Sequence, residues 1–322
     1  TRSDGTMWAW GQNQYGELGQ NSVVKYSSPV QIGSDTDWKS DAYNTVLGFW
    51  SKGGAIKTDG TLWVWGANEK GDLAQNNVNP GYSSPVQIPG TTWKSINIGN
   101  NPASPQGFAT KTDGTAWAWG NTVYGQLGLN QGGPGPGAIK YSSPVQLPGT
   151  TWDRIEGSVI EAYAIGRKTD GTLWGWGIND SGRLGQNSSG NQISSPAQIP
   201  GTSWSDKFSC SASSVGAIRT DGTLWVWGAG NGALGQNNRT FYSSPIQIPG
   251  TTWKNVCTSE YWGMTAIKTD GTLWSWGYNN NGQLGQNQPE NSQYSSPVQI
   301  PGTTWEKLYK AGGAFYASRK VY

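Results

Sequence analysis

The chain has 322 residues, with 22 Lys and Arg against 20 Asp and Glu and a net charge of +2. Charges are spread along it, so no strong field draws it to nucleic acid. It has no His and two Cys, which removes the commonest general base, the commonest metal ligand and any Cys-rich zinc site. No cofactor and no metal are therefore expected. Gly (48) and Trp (20) far exceed ordinary usage, and no apolar run is long enough to insert in a membrane. The first residue is Thr1, which leads us to expect a processed product or a piece of a larger parent chain or particle.

In chain order, the tripeptide Asp-Gly-Thr begins at Asp4, Asp59, Asp113, Asp170, Asp221 and Asp270, at spacings of 55, 54, 57, 51 and 49 residues. A fixed period of this size marks a repeat architecture. Each copy predicts four strands. W-K-S-I opens the first, and A-I-K-T is the second. Asp-Gly then makes a tight hairpin, because both turn positions tolerate positive φ. T-L-W-V-W-G alternates with the period of a strand and forms the third. A loop of the type N-x-x-G-x-L-G-Q-N leads to V-Q-I after S-S-P, the fourth. P-G-T-T closes the repeat, and Gly33-Ser34-Asp35-Thr36-Asp37 is the clear exception to it.

Four strands per repeat of about fifty residues make a propeller blade. The prediction is an all-β fold: one six-bladed β-propeller domain over residues 1–322, built of four-stranded antiparallel blades. Arg319-Lys320-Val321-Tyr322 aligns with Arg167-Lys168-Thr169-Asp170. The terminal segments are therefore expected to share one blade and close the ring, which removes open sheet edges. The rival is a fragment of a longer array.

The motif W-G-x-N-x-x-G-Q-L-G recurs at Trp119-Gly120 with Gly125-Gln126-Leu127-Gly128, and at Trp276-Gly277 with Gly282-Gln283-Leu284-Gly285. With the A-I-K-T-D-G-T-L-W-x-W-G segment it resembles the regulator of chromosome condensation repeat family, over the whole chain. It is similar most of all to Trp-rich bacterial and bacteriophage variants. The resemblance implies a propeller, with seven blades in the best-known members against six repeats here. It also implies a protein-binding role of the guanine-nucleotide exchange or inhibitor type. This chain lacks the family's recurrent His before the hairpin, and no basic tail is expected ahead of the first repeat.

Up-and-down strand order sorts the loops onto two faces. The hairpins and the P-G-T-T links lie on one face and vary little. The loops joining first to second strands and third to fourth strands lie on the other and vary in length and content, which is where binding usually sits. Eighteen of the twenty Trp occupy repeat positions, and recurrence in every blade means packing. The two that do not, Trp50 and Trp262, fall in first-to-second-strand loops. With Tyr43, Phe49, Tyr163, Tyr261, Phe315 and Tyr316 they are the candidate ligand-binding residues, since loop aromatics anchor interfaces and sugar rings. The alternative is that they plug a central channel. Tyr15, Glu17, Glu69, Lys70, Asp72, Tyr124, Asp180, Arg183 and Tyr278 join them in the third-to-fourth-strand loops. Arg2, Lys57, Lys111, Lys168, Arg219 and Lys268 precede each hairpin Asp by two residues; each stem is expected to lie along a neighbouring Trp or Tyr with its head near the local Asp, the alternative being a ring of cations for an anionic partner. Cys210 and Cys257 fall on adjacent blades. A disulfide would fit an extracellular setting, while their unequal offsets from Trp204 and Trp253 favour free buried thiols.

Catalysis needs an activated nucleophile, paired acids or a metal. Six of the acids are hairpin Asp, and Glu156 and Glu161 form the tightest remaining pair. The expectation is a non-enzymatic recognition module, extracellular or on a virion, that binds a glycan or protein partner through the variable face. The alternatives are a structural, decoration or self-assembling protein, a nucleotide-exchange or inhibitor-like domain, and a cytoplasmic location.

Overall fold

The structure is a computed structural model. It describes the chain except residues 41–44, 47–50, 100–104, 133–138, 159, 260–261, 289–291, 312–313 and 321–322. It falls into two compact units, Thr1–Gly157 and Ser158–Tyr322. No helix of the described residues is long and apolar enough to cross a membrane.

The first unit opens with a two-stranded sheet, β1 (Trp8–Gly11) and β2 (Tyr26–Gln31). Two four-stranded antiparallel sheets follow, each in sequence order. One holds β3 (Thr45–Val46), β4 (Lys52–Ile56), β5 (Leu62–Ala67) and β6 (Gly81–Ile88). The other holds β7 (Trp93–Ile98), β8 (Gln106–Lys111), β9 (Ala116–Asn121) and β10 (Lys140–Gln146). The unit ends in β11 (Trp152–Gly157), which packs on β7 and β8.

The second unit begins with β12 (Tyr163–Lys168), β13 (Leu173–Gly177) and β14 (Ile193–Gln198), paired antiparallel in that order. Two four-stranded sheets follow. The first holds β15 (Trp204–Cys210), β16 (Ser214–Arg219), β17 (Leu224–Gly228) and β18 (Tyr242–Ile248). The second holds β19 (Trp253–Thr258), β20 (Gly263–Lys268), β21 (Leu273–Tyr278) and β22 (Gln293–Ile300). The last two strands, β23 (Trp305–Ala311) and β24 (Ala314–Arg319), form a two-stranded sheet.

The repeated residues account for this regularity. In the hairpins, Asp Oδ1 accepts the Thr amide two residues on and the Thr hydroxyl, as Asp59 does at 2.9 and 2.7 Å. That hydroxyl accepts the indole N–H of the next Trp, as Thr61 does from Trp63 at 2.9 Å. The Gly of W-x-W-G sits at a bulge between third and fourth strands. At Gly66, φ is 97° and an added Cβ would lie 2.1 Å from the Ser51 carbonyl, so no larger residue fits.

Cores form between successive sheets. Ile56, Leu62, Val64 and Ile88 pack on Trp93, Ile96, Ile98 and Trp119; Leu224, Val226 and Ile248 pack on Trp253, Val256, Met264 and Trp276. In several repeats the second Trp of W-x-W reaches the preceding repeat: Trp65, Trp119 and Trp227 donate Nε1–H to the carbonyls of Glu17, Asp72 and Arg183 at 2.8, 2.9 and 3.0 Å, whereas Trp10, in the first pair, is exposed rather than packed. A second tie runs beside it. The amides of Asn21, Asn76, Asn187 and Asn237 donate to Ser83, Ser142, Ser243 and Ser295 at 2.6–2.7 Å. Each Asn holds positive φ, a conformation Asn tolerates better than most residues.

Candidate functional site

First strands lie side by side: β7 contacts β11, and β19 contacts both β15 and β23. They are joined by polar contacts, Lys94 to Asp153 at 2.5 Å and Ser209 to Thr258 at 3.0 Å. From this arrangement each second strand carries its cation at one end and its variable loop at the other.

At the cation end each side chain meets a Trp, as expected, but it is the charged head and not only the stem that lies on the ring. Arg2, Lys57, Lys111, Lys168, Arg219 and Lys268 each lie over an indole at 3.9–5.6 Å from the ring centroid, and Arg319 lies over Trp305 at 4.2 Å. Lys57, Lys111, Arg219 and Lys268 each touch two indoles.

At the other end, the residue before each second strand has a constant backbone role and a changing side chain. The carbonyls of Ser51, Pro105, Ala162, Ser213 and Trp262 each accept an amide N–H from the end of the third strand, at 2.8–3.1 Å. One scaffold bond thus presents Ser, Pro, Ala, Ser and Trp in successive repeats. Trp262 is the largest. Its φ is 55°, in the left-handed region that bulky residues avoid. It is 37% exposed and rests on Tyr278 with ring centroids 5.5 Å apart.

The other candidates separate. Tyr316 is 57% exposed and pairs across the hairpin with exposed Tyr309. Phe315 is half-buried; it packs near Leu308 and lines a cavity of about 330 Å³ with Asn281, Gln283 and Ala314. Tyr163 is not on a surface. It is fully buried, and its hydroxyl donates to the Ser211 carbonyl at 2.5 Å. Burial, opposed in part by the Arg183 guanidinium, pushes its pKa well up. Position decides this: Tyr163 is the first residue of β12, inside the sheet, not in the loop before it. Tyr43, Phe49, Trp50 and Tyr261 lie outside the described residues.

Sequence reasoning missed a coupled pair of positions. The first residue of the second strand meets the variable residue of G-x-L-G. Lys52 forms a buried ion pair with Asp72, and Arg183 lies over Tyr163 at 5.5 Å. Gln106 and Gln126, both fully buried, hold the same two positions in the third repeat. The signal was the concerted change of both residues from copy to copy. Arg183 also donates to the Ala212 carbonyl at 3.0 Å and pairs with Glu161 at 3.3 Å; Glu156 pairs with Arg154 at 2.9 Å. Each of the two glutamates expected as a pair is thus held by its own arginine. Cys210 and Cys257 are both buried.

Comparison with known proteins agrees with this geometry. The model of the Regulator of chromosome condensation (RCC1) repeat matches residues 4–40, 170–218 and 270–310. The chain is 26% identical over 229 residues to the human E3 ubiquitin-protein ligase HERC2, covering 70% of this chain and 5% of that protein. It is 27% identical over 240 residues to the RCC1 domain-containing protein RUG3, mitochondrial, of Arabidopsis thaliana, covering 70% of this chain and 50% of that one. The chain therefore spans half or less of the length of these relatives. Among solved structures, yeast RCC1 (Prp20) bound to Kap60 matches with a TM-score of 0.76 at 18% identity, over 98% of this chain and 76% of that one. Prp20p from Saccharomyces cerevisiae, studied for its binding to Gsp1p and histones, matches at 0.76 and 16% identity over 98% and 78%. Human WBSCR16 matches at 0.75 and 19% identity over 98% and 82%. Three segments of the chain thus match the RCC1 repeat model, and the chain is similar in fold to the all-β propellers of those structures.

Proposed function

We propose that the chain is a non-enzymatic, protein-binding propeller module that holds its partner through the loops at the Trp262 end of its sheets. The observation that carries this reading is Trp262 itself. A bulky residue in a left-handed conformation, part exposed and backed by a second ring, is a strained and pre-ordered aromatic anchor. Structural neighbours named for binding Kap60, and studied for binding Gsp1p and histones, support a protein partner over a sugar. The finer architecture that goes with this reading is six blades closed into a ring by the terminal segments, which rests on the repeat tiling.

The test titrates a Gsp1-type GTPase, core histones and a Kap60-type importin into the full chain, with a glycan array alongside. Binding to one of the proteins is expected, and Trp262→Ala should weaken it about tenfold or more, as for a central aromatic anchor, at an unchanged melting temperature. Undiminished binding by Trp262→Ala would remove the anchor from the reading. Glycan binding with no protein bound would replace the reading by the carbohydrate one, and with it support an extracellular or virion setting. Ordered self-assembly with neither would favour the structural role.

A further inference from the structure

In one repeat the cation held between two indoles also carries a ligand, and the chain supplies it. Lys57 Nζ lies 5.0 and 5.2 Å from the Trp38 and Trp63 centroids. It also meets Asp35 Oδ2 at 3.0 Å and Asp37 Oδ1 at 3.2 Å. Burial works against its charge, yet the hydrogen bonds it donates to the two carboxylates prevail and raise its pKa. Both acids belong to Gly33–Asp37, the link that departs from P-G-T-T.

A backbone bond aligns this link with its counterpart in the second unit. Thr58 N–H donates to the Asp37 carbonyl at 2.8 Å, and Thr269 N–H donates to the Thr252 carbonyl at 2.8 Å. Thr252 therefore stands where Asp37 stands. Lys268 stands where Lys57 does, 4.7 and 4.4 Å from the Trp253 and Trp274 centroids. Among the described residues no carboxylate forms an ion pair with Lys268, whereas Lys57 has two. The nearest hairpin acid, Asp270, is engaged by its own turn, accepting the Thr272 amide at 2.9 Å and hydroxyl at 2.7 Å. Beside Lys268 a cavity of about 330 Å³ opens, walled by Pro249, Trp253, Trp274 and Pro297 and edged by Gln236 and Asn237.

We propose that this cavity docks an acidic peptide segment of a protein partner, of the Asp-x-Asp kind, whose carboxylates sit on Lys268 as Asp35 and Asp37 sit on Lys57. The indoles shield the ammonium from water and fix its stem, which strengthens a charge-assisted bond. The Pro and Trp walls accept the peptide's apolar atoms, and the two amides offer partners to its backbone. At Lys57 the chain fills this position from its own link; at Lys268, with Thr252 in place of the acid, it leaves the position to a partner. The site is independent of Trp262, which precedes the opposite end of the same strand, β20.

The test uses the chain's own acidic segment as the probe. The peptide Gly-Ser-Asp-Thr-Asp, and its amide twin Gly-Ser-Asn-Thr-Asn, are titrated into the full chain while the indole N–H resonances of Trp253 and Trp274 are followed by NMR. Saturable shifts are expected with the acidic peptide, about tenfold weaker in Lys268→Met, as for loss of one partner of a charge pair. Thr252→Asp places the acid in the chain and is expected to abolish the response while leaving the indole spectrum folded. Equal response to both peptides overturns the proposal, as does an undiminished response in Lys268→Met. Should Lys268→Met fail to fold, a peptide response surviving in Thr252→Asp overturns it. A response to a uronic-acid oligosaccharide and none to the peptide would overturn it too.

Discussion

The hairpin aspartates act as local clasps. Each carboxylate accepts a Thr amide and a Thr hydroxyl, and both bonds favour the ionised form. For Asp59 and Asp113 the amide is the larger influence; for Asp4, Asp170, Asp221 and Asp270 it is the hydroxyl. All six carboxyls are held below the ordinary carboxylate range. The folded pKa thus lies under the unfolded one. The ionised clasp stabilises the fold above the ordinary carboxylate range, and that contribution is lost as pH falls through and below about 4. The thermal midpoint should therefore drop steeply in this acid range. The double variant Asp59→Asn, Asp113→Asn keeps the side-chain acceptor without the charge, and should show a shallower drop. A slope identical to wild type would exclude these clasps as its source.

At the scale of the strand, spacing decides what each position tolerates. In β8 and β9, Gly107 pairs directly with Trp119, and an added Cβ at Gly107 would fall 2.2 Å from the indole. Trp119 is fully buried, with its N–H held by the Asp72 carbonyl, so the ring has no room to retreat. Gly107→Ala should cost about 1–3 kcal/mol of stability, the usual penalty of overpacking, read as a lower denaturant midpoint at unchanged slope. The same change at solvent-exposed Gly190, where an added Cβ meets nothing within 4 Å, is the control for overpacking. Its positive φ of 89° leaves only backbone strain to act there. Strand limits were legible in the sequence because Trp, Asp-Gly and Pro recur in phase. The burial of Tyr163 was not, since an aromatic one residue inside a strand and one in the loop before it look alike until the register is known.

For the molecule as a whole, nearly balanced charge predicts little affinity for polyanions. A chain of net charge +2 lacks the clustered cations that release counterions. Several of its cations are occupied by indoles or carboxylates: Lys57 by both, Arg183 by Glu161, Lys94 by Asp153. At about 0.15 M salt, near physiological ionic strength, the protein should show no salt-dependent retention on duplex DNA. Strong binding that falls steeply with added salt would contradict this. Recognition is expected instead from shaped sites, the Trp262 loop end and the Lys268 cavity, at opposite ends of one strand.

The amino-acid sequence by itself determined the repeat, the four-strand order, the hairpin positions and the stacking of each cation on a Trp. These follow from short-range chemistry: a turn that needs Gly, a strand that alternates, a spacing that recurs. Only the tertiary structure decided which aromatics reach solvent, that the two thiols are buried, and that Lys52 meets Asp72. These depend on which side chain of one sheet faces which of the next. The cation row shows the division most plainly. Its position was readable from the spacing of Lys and Asp-Gly, but the contrast between Lys57, closed by its own link, and Lys268, beside an open cavity, appeared only when the links were folded against the indoles.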